Sequence, residues 1–204
     1  MRRVVLATSN RHKLREIAAL LAESGIELVA QTDLGVAPVE ETGRTFVENA
    51  LLKARHASKQ TGLPAIADDS GIEVDALGGG PGVRSARYAG PNATDEDNLR
   101  KLVRELDRVP DDRRGARYVC AMVYVPCRAN EAPIVCERTW PGRIARQGRG
   151  SHGFGYDPVF LVPTLGLTAA ELDPVRKNEL SHRGQALRAL RSELQARAPT
   201  VAVE

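Results

Sequence analysis

Val4-Val5-Leu6-Ala7-Thr8-Ser9-Asn10-Arg11-His12-Lys13 passes from four apolar residues through a hydroxyl-and-amide turn into a cationic stretch. The apolar part reads as a buried strand over residues 3–8. Beyond the turn, Leu14, Ile17, Ala18 and Leu21 recur at i, i+3, i+4 and i+7, the period of a helix with one apolar face. A strand feeding directly into a helix is the first half of an α/β unit. The turn carries a second meaning. Hydroxyls, an amide and the free N–H groups of a helix start attract an anion, and Lys13 adds charge. A plain helix cap by Ser9 or Asn10 explains the same residues equally well. The Gly-x4-Gly-Lys-Ser/Thr pattern of a P-loop is absent.

Outward from this unit the alternation continues. Residues 26–30 read as a second strand. A polar loop with Glu40-Glu41-Thr42-Gly43 leads to Thr45-Phe46-Val47-Glu48, the capping-box spacing of a helix that runs to about Thr61 and stops at Gly62 and Pro64. Ala65-Ile66-Ala67 reads as a short buried strand entering an Asp68-Asp69-Ser70-Gly71 turn. A further strand-like run, Ile72 to Leu77, meets Gly78-Gly79-Gly80-Pro81-Gly82. Thr94 caps a helix reaching about Leu106, and residues 116–126 and 133–143 pair as strands. The last helix, capped by Ser181, turns Leu187, Leu190 and Leu194 inward. The expectation is an α/β domain around a mixed sheet, with function gathered on loops at strand ends.

No repeat, linker or low-complexity tract divides the 204 residues, so a single domain over 1–204 is expected. The net charge of +3, from 29 basic and 26 acidic residues, argues against a broad nucleic-acid-binding face. No apolar run approaches the roughly 20 residues of a membrane helix. The N-terminal run is too short for a signal peptide and points to a cytosolic protein. Cys120, Cys127 and Cys136 lack metal-site spacing, and Cys120 and Cys136 read as reduced packing residues.

Four polar clusters carry chemistry besides the first turn. Ser151-His152-Gly153-Phe154-Gly155-Tyr156-Asp157-Pro158 puts two rings and a carboxylate on a glycine-hinged loop, although aromatic residues are only 4% of the chain. Ring faces of this kind stack on a flat heterocycle, though a packing turn would also use them. Asp68 and Asp69, as neighbours on an extended chain, point to opposite sides and so do different jobs: one faces a ligand, the other accepts from turn backbone. With Glu40-Glu41 they offer the hard oxygens that Mg²⁺ takes beside phosphate. Lys53 lies one turn after Asn49 on the second helix, and Lys177 lies in an irregular polar run. Ser181-His182-Arg183-Gly184 could present donors to the carbonyl edge of a base.

Together, Thr8-Ser9-Asn10-x-x-Lys13, Glu40-Glu41-Thr42-Gly43-x-Thr45-Phe46-x-Glu48-Asn49-Ala50, Ala67-Asp68-Asp69-Ser70-Gly71, Phe154-Gly155-Tyr156-Asp157-Pro158 and Ser181-His182-Arg183-Gly184 resemble the inosine/xanthosine triphosphate pyrophosphatase family, the XTP/dITP diphosphatases. Ser9 departs from the glycine that many members have. The resemblance implies an elongated mixed sheet flanked by helices, with an active-site cleft between two lobes, in a homodimer that needs Mg²⁺. It implies hydrolysis of ITP, dITP and XTP to the monophosphate and pyrophosphate. Carried over by position, Thr8, Ser9, Asn10, Arg11, His12, Lys13, Lys53 and Lys177 meet the triphosphate. Asp69 is the general base and, with Glu40, a metal ligand; which of Glu40 and Glu41 reaches the metal stays open. Ser70 holds the nucleotide, and Phe154, Gly155, Tyr156, Asp157, His182 and Arg183 hold the base. A Maf-type nucleotide pyrophosphatase and a non-enzymatic nucleotide- or RNA-binding module are the rivals. The second of these leaves the paired carboxylates unexplained, since they repel phosphate unless a metal intervenes.

Overall fold

A computed structural model of the chain describes residues 2–21, 25–128 and 130–197. Its first half follows the expected alternation: β1 (Arg2–Leu6), α1 (Arg11–Leu21), β2 (Ile26–Ala30), α2 (Phe46–Thr61) and β3 (Ala65–Val74). The second half contains α3 (Asp95–Glu105), β4 (Gly115–Val125), β5 (Ile134–Ile144), β6 (Phe160–Val162), β7 (Leu167–Thr168), α4 (Pro174–Leu180) and α5 (His182–Ala196). The strands form one sheet in the order β2-β1-β3-β4-β5-β6-β7. β1 is parallel to β2 and β3, and the remaining neighbours are antiparallel. The result is a mixed, open α/β sheet flanked by helices.

Strand alternation sorts the core onto two faces. Val4, Leu6, Ile66, Cys120 and Met122 pack with Ile17 and Leu21 of α1 and Leu187 and Leu190 of α5. Val5, Ala7, Ala65, Ala67, Val119 and Ala121 pack with Phe46, Ala50, Ala54 and Ala57 of α2. Alanines on both partners let α2 lie close to the sheet. Thr45 caps α2 by accepting from the Glu48 N–H, and Gly62 closes it at φ 69° in the left-handed region. The Glu48 carboxylate accepts from the N–H of Arg44, one residue before the cap.

Two expectations are corrected here. Asp68-Asp69-Ser70-Gly71 is not a turn between two strands. β3 runs through it without a break, paired residue for residue with β4 from Ala65↔Val125 to Val74↔Ala116. Lys177 lies not in an irregular run but in α4, which Asp173 caps and Pro174 begins.

The ladder also explains where a pocket forms. β1 ends at Leu6, opposite Ile66, so β3 continues past its neighbour with one edge uncovered. Helices α1 and α2, which leave and enter this pair, lie on opposite faces of the sheet. Such a switch point, outside the C-terminal ends of parallel strands, is where open α/β sheets bind ligands.

Candidate active site

A cleft of about 300 Å³ opens at this point. Thr8, Ser9 and Asn10 line it from the β1–α1 turn, Lys13 from the first turn of α1, Lys53 from α2, and Asp69 and Ser70 from β3. Phe154, Gly155, Tyr156 and Asp157 line it from the loop before β6, joined by Lys177 of α4 and His182 and Arg183 of α5. The structure thus gathers these expected residues from across the chain. Arg11 and His12 begin α1, but their side chains lie outside the described parts of the molecule. Glu40 is exposed and does not line the cleft. Its neighbour Glu41 does, so of the two glutamates left open by the sequence it is Glu41 that faces the cleft.

The turn after β1 serves both readings of its sequence. The Asn10 side chain accepts from the Lys13 N–H, capping the helix, while the Thr8 hydroxyl accepts from the Asn10 N–H. These bonds fix the turn that faces the cleft.

On the α2 face of β3, Lys53 Nζ sits between two carboxylates, 2.9 Å from Asp69 and 2.7 Å from Glu41. Asn49 donates to the other Asp69 oxygen at 3.2 Å, and Arg87 donates to the other Glu41 oxygen at 3.2 Å. Burial raises the Asp69 pKa, with Lys53 pulling it back and Glu41 adding to the rise. For Glu41, burial also acts upward, but Lys53 outweighs it and holds the group below the usual range. Lys53 is raised, because Asp69, Asp68 and Glu41 outweigh its burial. The two carboxylates that share Lys53 are thus shifted in opposite directions, Asp69 upward and Glu41 downward.

On the opposite face, Asp68 meets Lys13 at 2.9 Å and Arg183 at 3.3 Å. Burial opposes ionisation, yet Lys13 and Arg183 outweigh it and keep Asp68 well below the ordinary carboxylate range. One peptide bond separates two aspartates whose pKa values are shifted in opposite directions. The expectation that the second carboxylate accepts from turn backbone gives way to an ion pair with two cations.

At the far end the aromatic loop is pinned by its own carboxylate. Asp157 accepts from the Phe154 N–H at 2.9 Å, from Lys177 at 2.7 Å and from the Tyr118 hydroxyl at 3.0 Å. Tyr156 is buried and donates to the Ser85 carbonyl. Its ring belongs to the core, which leaves Phe154, half-buried, as the ring that can stack on a heterocycle. Lys177 and Arg183 lie 5.1 and 5.6 Å from the Phe154 ring centroid. His182 stacks on Tyr118 with ring centroids 4.6 Å apart. Burial, then Arg183 and Lys177, push its pKa well down, so its imidazole is neutral.

Several participants were not among the residues singled out from the sequence. Glu16, one turn after Lys13 on α1, accepts from Arg183 at 2.6 Å and lies 3.4 Å from Lys177. Its i+3 spacing from Lys13 was the available clue. Tyr118 sits mid-strand with a partner 39 residues away. Asp95, at the start of α3, accepts from the Gly155 N–H. The cysteines match expectation: Cys120 and Cys136 are buried, all three are free, and burial, then Asp68, push the Cys120 thiol up to about 12.

Residues 4–193 match the Ham1 family model. The chain belongs to the Ham1 family. It is 60% identical over 190 residues to the dITP/XTP pyrophosphatase of Salmonella typhimurium, spanning 93% of this chain and 96% of that protein. The dITP/XTP pyrophosphatase of Escherichia coli is 58% identical over 190 residues, with the same coverage. Among solved structures, a HAM1 protein from Coxiella burnetii superposes with a TM-score of 0.89 at 50% identity, covering 96% of this chain and all of that one.

The chemistry of the donor set bears on a metal ion. Among the described residues no cluster of three or more His, Cys, Asp or Glu side chains stands ready to hold one. Asp69 and Glu41 nonetheless converge on a single ammonium, so one hard oxygen from each already surrounds a common cation. That suits Mg²⁺, which takes one or two protein carboxylates and completes its shell with water and substrate phosphate.

Proposed function

We propose that this member of the Ham1 family hydrolyses the deaminated purine nucleoside triphosphates ITP, dITP and XTP to the monophosphate and pyrophosphate, with water attacking the α-phosphorus. One observation carries the reading beyond family membership: the Asp69–Lys53–Glu41 cluster shares a cleft with the Phe154 ring and its flanking cations. A carboxylate cluster at one end and a base platform at the other is what pyrophosphate cleavage of a nucleotide needs.

In this reading Thr8, Ser9, Asn10, Lys13 and Lys53 bind and orient the phosphate chain. Charge on that chain repels a nucleophile and grows on the leaving group, so positive charge nearby supplies most of the catalysis. Mg²⁺ held by Asp69 and Glu41 would add a Lewis-acid charge on the phosphate oxygens. Asp69 takes the proton from the attacking water. Phe154 stacks on the base, with Lys177 and Arg183 alongside. Their donors match the O6 acceptor of hypoxanthine and xanthine and oppose the N6 donor of adenine. Asp157 holds the loop and Lys177 in place rather than reading the base itself.

The family resemblance supports a single domain over 1–204 that works as a homodimer in the cytoplasm. Among the described residues no helix is long and apolar enough to cross a membrane. Two measurements test the proposal. Pyrophosphate and orthophosphate are followed from ITP, XTP, dITP, ATP and GTP, with Mg²⁺ and with a chelator. Mg²⁺-dependent pyrophosphate release from ITP and XTP is expected. Orthophosphate as the product, or equal turnover of ATP, would refute it.

A further inference from the structure

We propose that Asp68 is a positioning residue that couples the two ends of the cleft, making occupancy of the phosphate end strengthen binding of the base. The inference rests on the nucleotide reading above and concerns a residue outside the cleft lining.

Asp68 uses its two oxygens unequally. Oδ2 alone meets Lys13 Nζ at 2.9 Å, Arg183 Nε at 3.3 Å, Arg183 Nη2 at 3.4 Å and the Ser70 hydroxyl at 3.3 Å. Oδ1 is buried with no hydrogen-bond partner in the protein. The other carboxylates of the site divide their work. Asp69 gives one oxygen to Lys53 and the other to Asn49. Glu16 gives one to Lys177 and the other to Arg183. Only at Asp68, among these three, do two cations compete for the same oxygen.

Charge-assisted N–H···O bonds settle at roughly 2.7–2.9 Å. Lys13 has such a contact with Asp68, whereas Arg183 is held off by about half an ångström. The cations face different parts of the ligand: Lys13 lies in the first turn of α1 at the phosphate end of the cleft, and Arg183 lies beside Phe154. A triphosphate draws the Lys13 ammonium toward itself. Oδ2 is then released to Arg183, which can close to full bonding distance while Glu16 and Ser70 hold its other nitrogens. A guanidinium fixed on three sides loses less freedom when a base docks against it, so the base binds more tightly. Linkage requires the reverse as well: a bound base favours the phosphate chain by the same factor.

The test uses the intact protein with separate halves of the ligand and no divalent metal. Inosine affinity is measured by NMR titration with and without saturating inorganic triphosphate. In the wild type, triphosphate is expected to tighten inosine binding about fivefold, the lower end of typical coupling between sites. Asp68→Asn, confirmed folded by thermal unfolding, is expected to bring that factor below about twofold. Lys13→Met guards against an Asp68 variant that fails to fold. It should bind inosine about fivefold more tightly than wild type before any triphosphate is added, which loss of structure would not produce. Independent binding in the wild type overturns the proposal. So does coupling that persists in either variant. Pyrophosphate release from ITP by the same wild-type preparation tells a failure of this inference from a failure of the assigned activity.

Discussion

Asp69→Asn isolates the proton transfer from the rest of the site. Its effect on folding should be small, because Lys53 keeps Glu41 at 2.7 Å and an amide oxygen can still accept from Lys53 or Asn49. The native carboxylate is itself penalised by burial, so replacing it with a neutral isostere removes a cost along with a hydrogen bond. The net change in stability is expected within about 1 kcal/mol. Turnover is another matter. A positioned general base typically contributes about 10²–10⁴-fold, or roughly 3–5 kcal/mol of barrier. Steady-state pyrophosphate release from ITP should therefore show kcat reduced at least about 100-fold, with KM within a few-fold of wild type. Asp69 also stands where a cation would bind, so the assay is repeated across a wide Mg²⁺ range. Turnover within about tenfold of wild type removes Asp69 from the base role. Recovery at high Mg²⁺ would show instead that it acts by holding the ion.

Because Glu41 and not Glu40 faces the cleft, Glu41→Gln is expected to weaken Mg²⁺ activation at least about tenfold, while Glu40→Gln, on the exposed neighbour, leaves the Mg²⁺ titration unchanged. Arg183→Ala should erode the preference for ITP over ATP by roughly 1–3 kcal/mol, about 5–150-fold in relative kcat/KM; an unchanged ratio removes Arg183 from base reading. His182 is held neutral in the fold but takes up a proton when unfolded. Wild-type stability should therefore be complete above about pH 6.5 and fall as pH drops below it. His182→Phe, which keeps the stack on Tyr118, should show a shallower loss, by up to about 1.4 kcal/mol per pH unit in denaturant titrations. Arg114 is buried and donates to the carbonyls of Leu106, Ile144 and Ala145, tying the end of α3 to the end of β5. Arg114→Met orphans those acceptors and should cost about 3 kcal/mol or more in unfolding experiments, with ITP turnover at low temperature unaffected.

The α/β frame was legible because its signals are local. The β1 run, the 3.6-residue period of α1, the Thr45 cap and the Gly62 stop each lie within one turn of the element they define. The hairpin of β4 and β5 was readable for the same reason. What escaped was decided at a distance. Asp68-Asp69-Ser70-Gly71 contains four residues that favour turns, because their side chains or flexibility serve nearby backbone. Here those side chains have better partners from α1, α2 and α5, and β4 supplies a full ladder, so the strand continues. The seven residues of α4 are too few to show a period, and its only local mark, an Asp173 cap followed by Pro174, was not read as a helix start. Glu40 and Glu41 sit on a loop with no repeat to say which faces inward; the positions of Lys53 and Arg87 decide it.

The two aspartates show why residue type alone could not assign the chemistry. Both are buried on a single strand, and burial pushes each toward the neutral acid. What separates them is the face. Asp68 looks toward α1 and α5, where Lys13 and Arg183 together overcome burial and leave a permanent anion. Asp69 looks toward α2, where the ammonium of Lys53 is shared with a second carboxylate that itself raises the Asp69 pKa. A permanent anion is a poor base but a dependable anchor for cations. A carboxylate whose charge is only partly compensated is a poor anchor but a better proton acceptor. Exchanging the environments, rather than the residues, would exchange the roles. A variant that supplies Asp69 with a second cation on the α2 face should therefore lower its pKa and slow the chemical step without disturbing any atom of Asp69 itself.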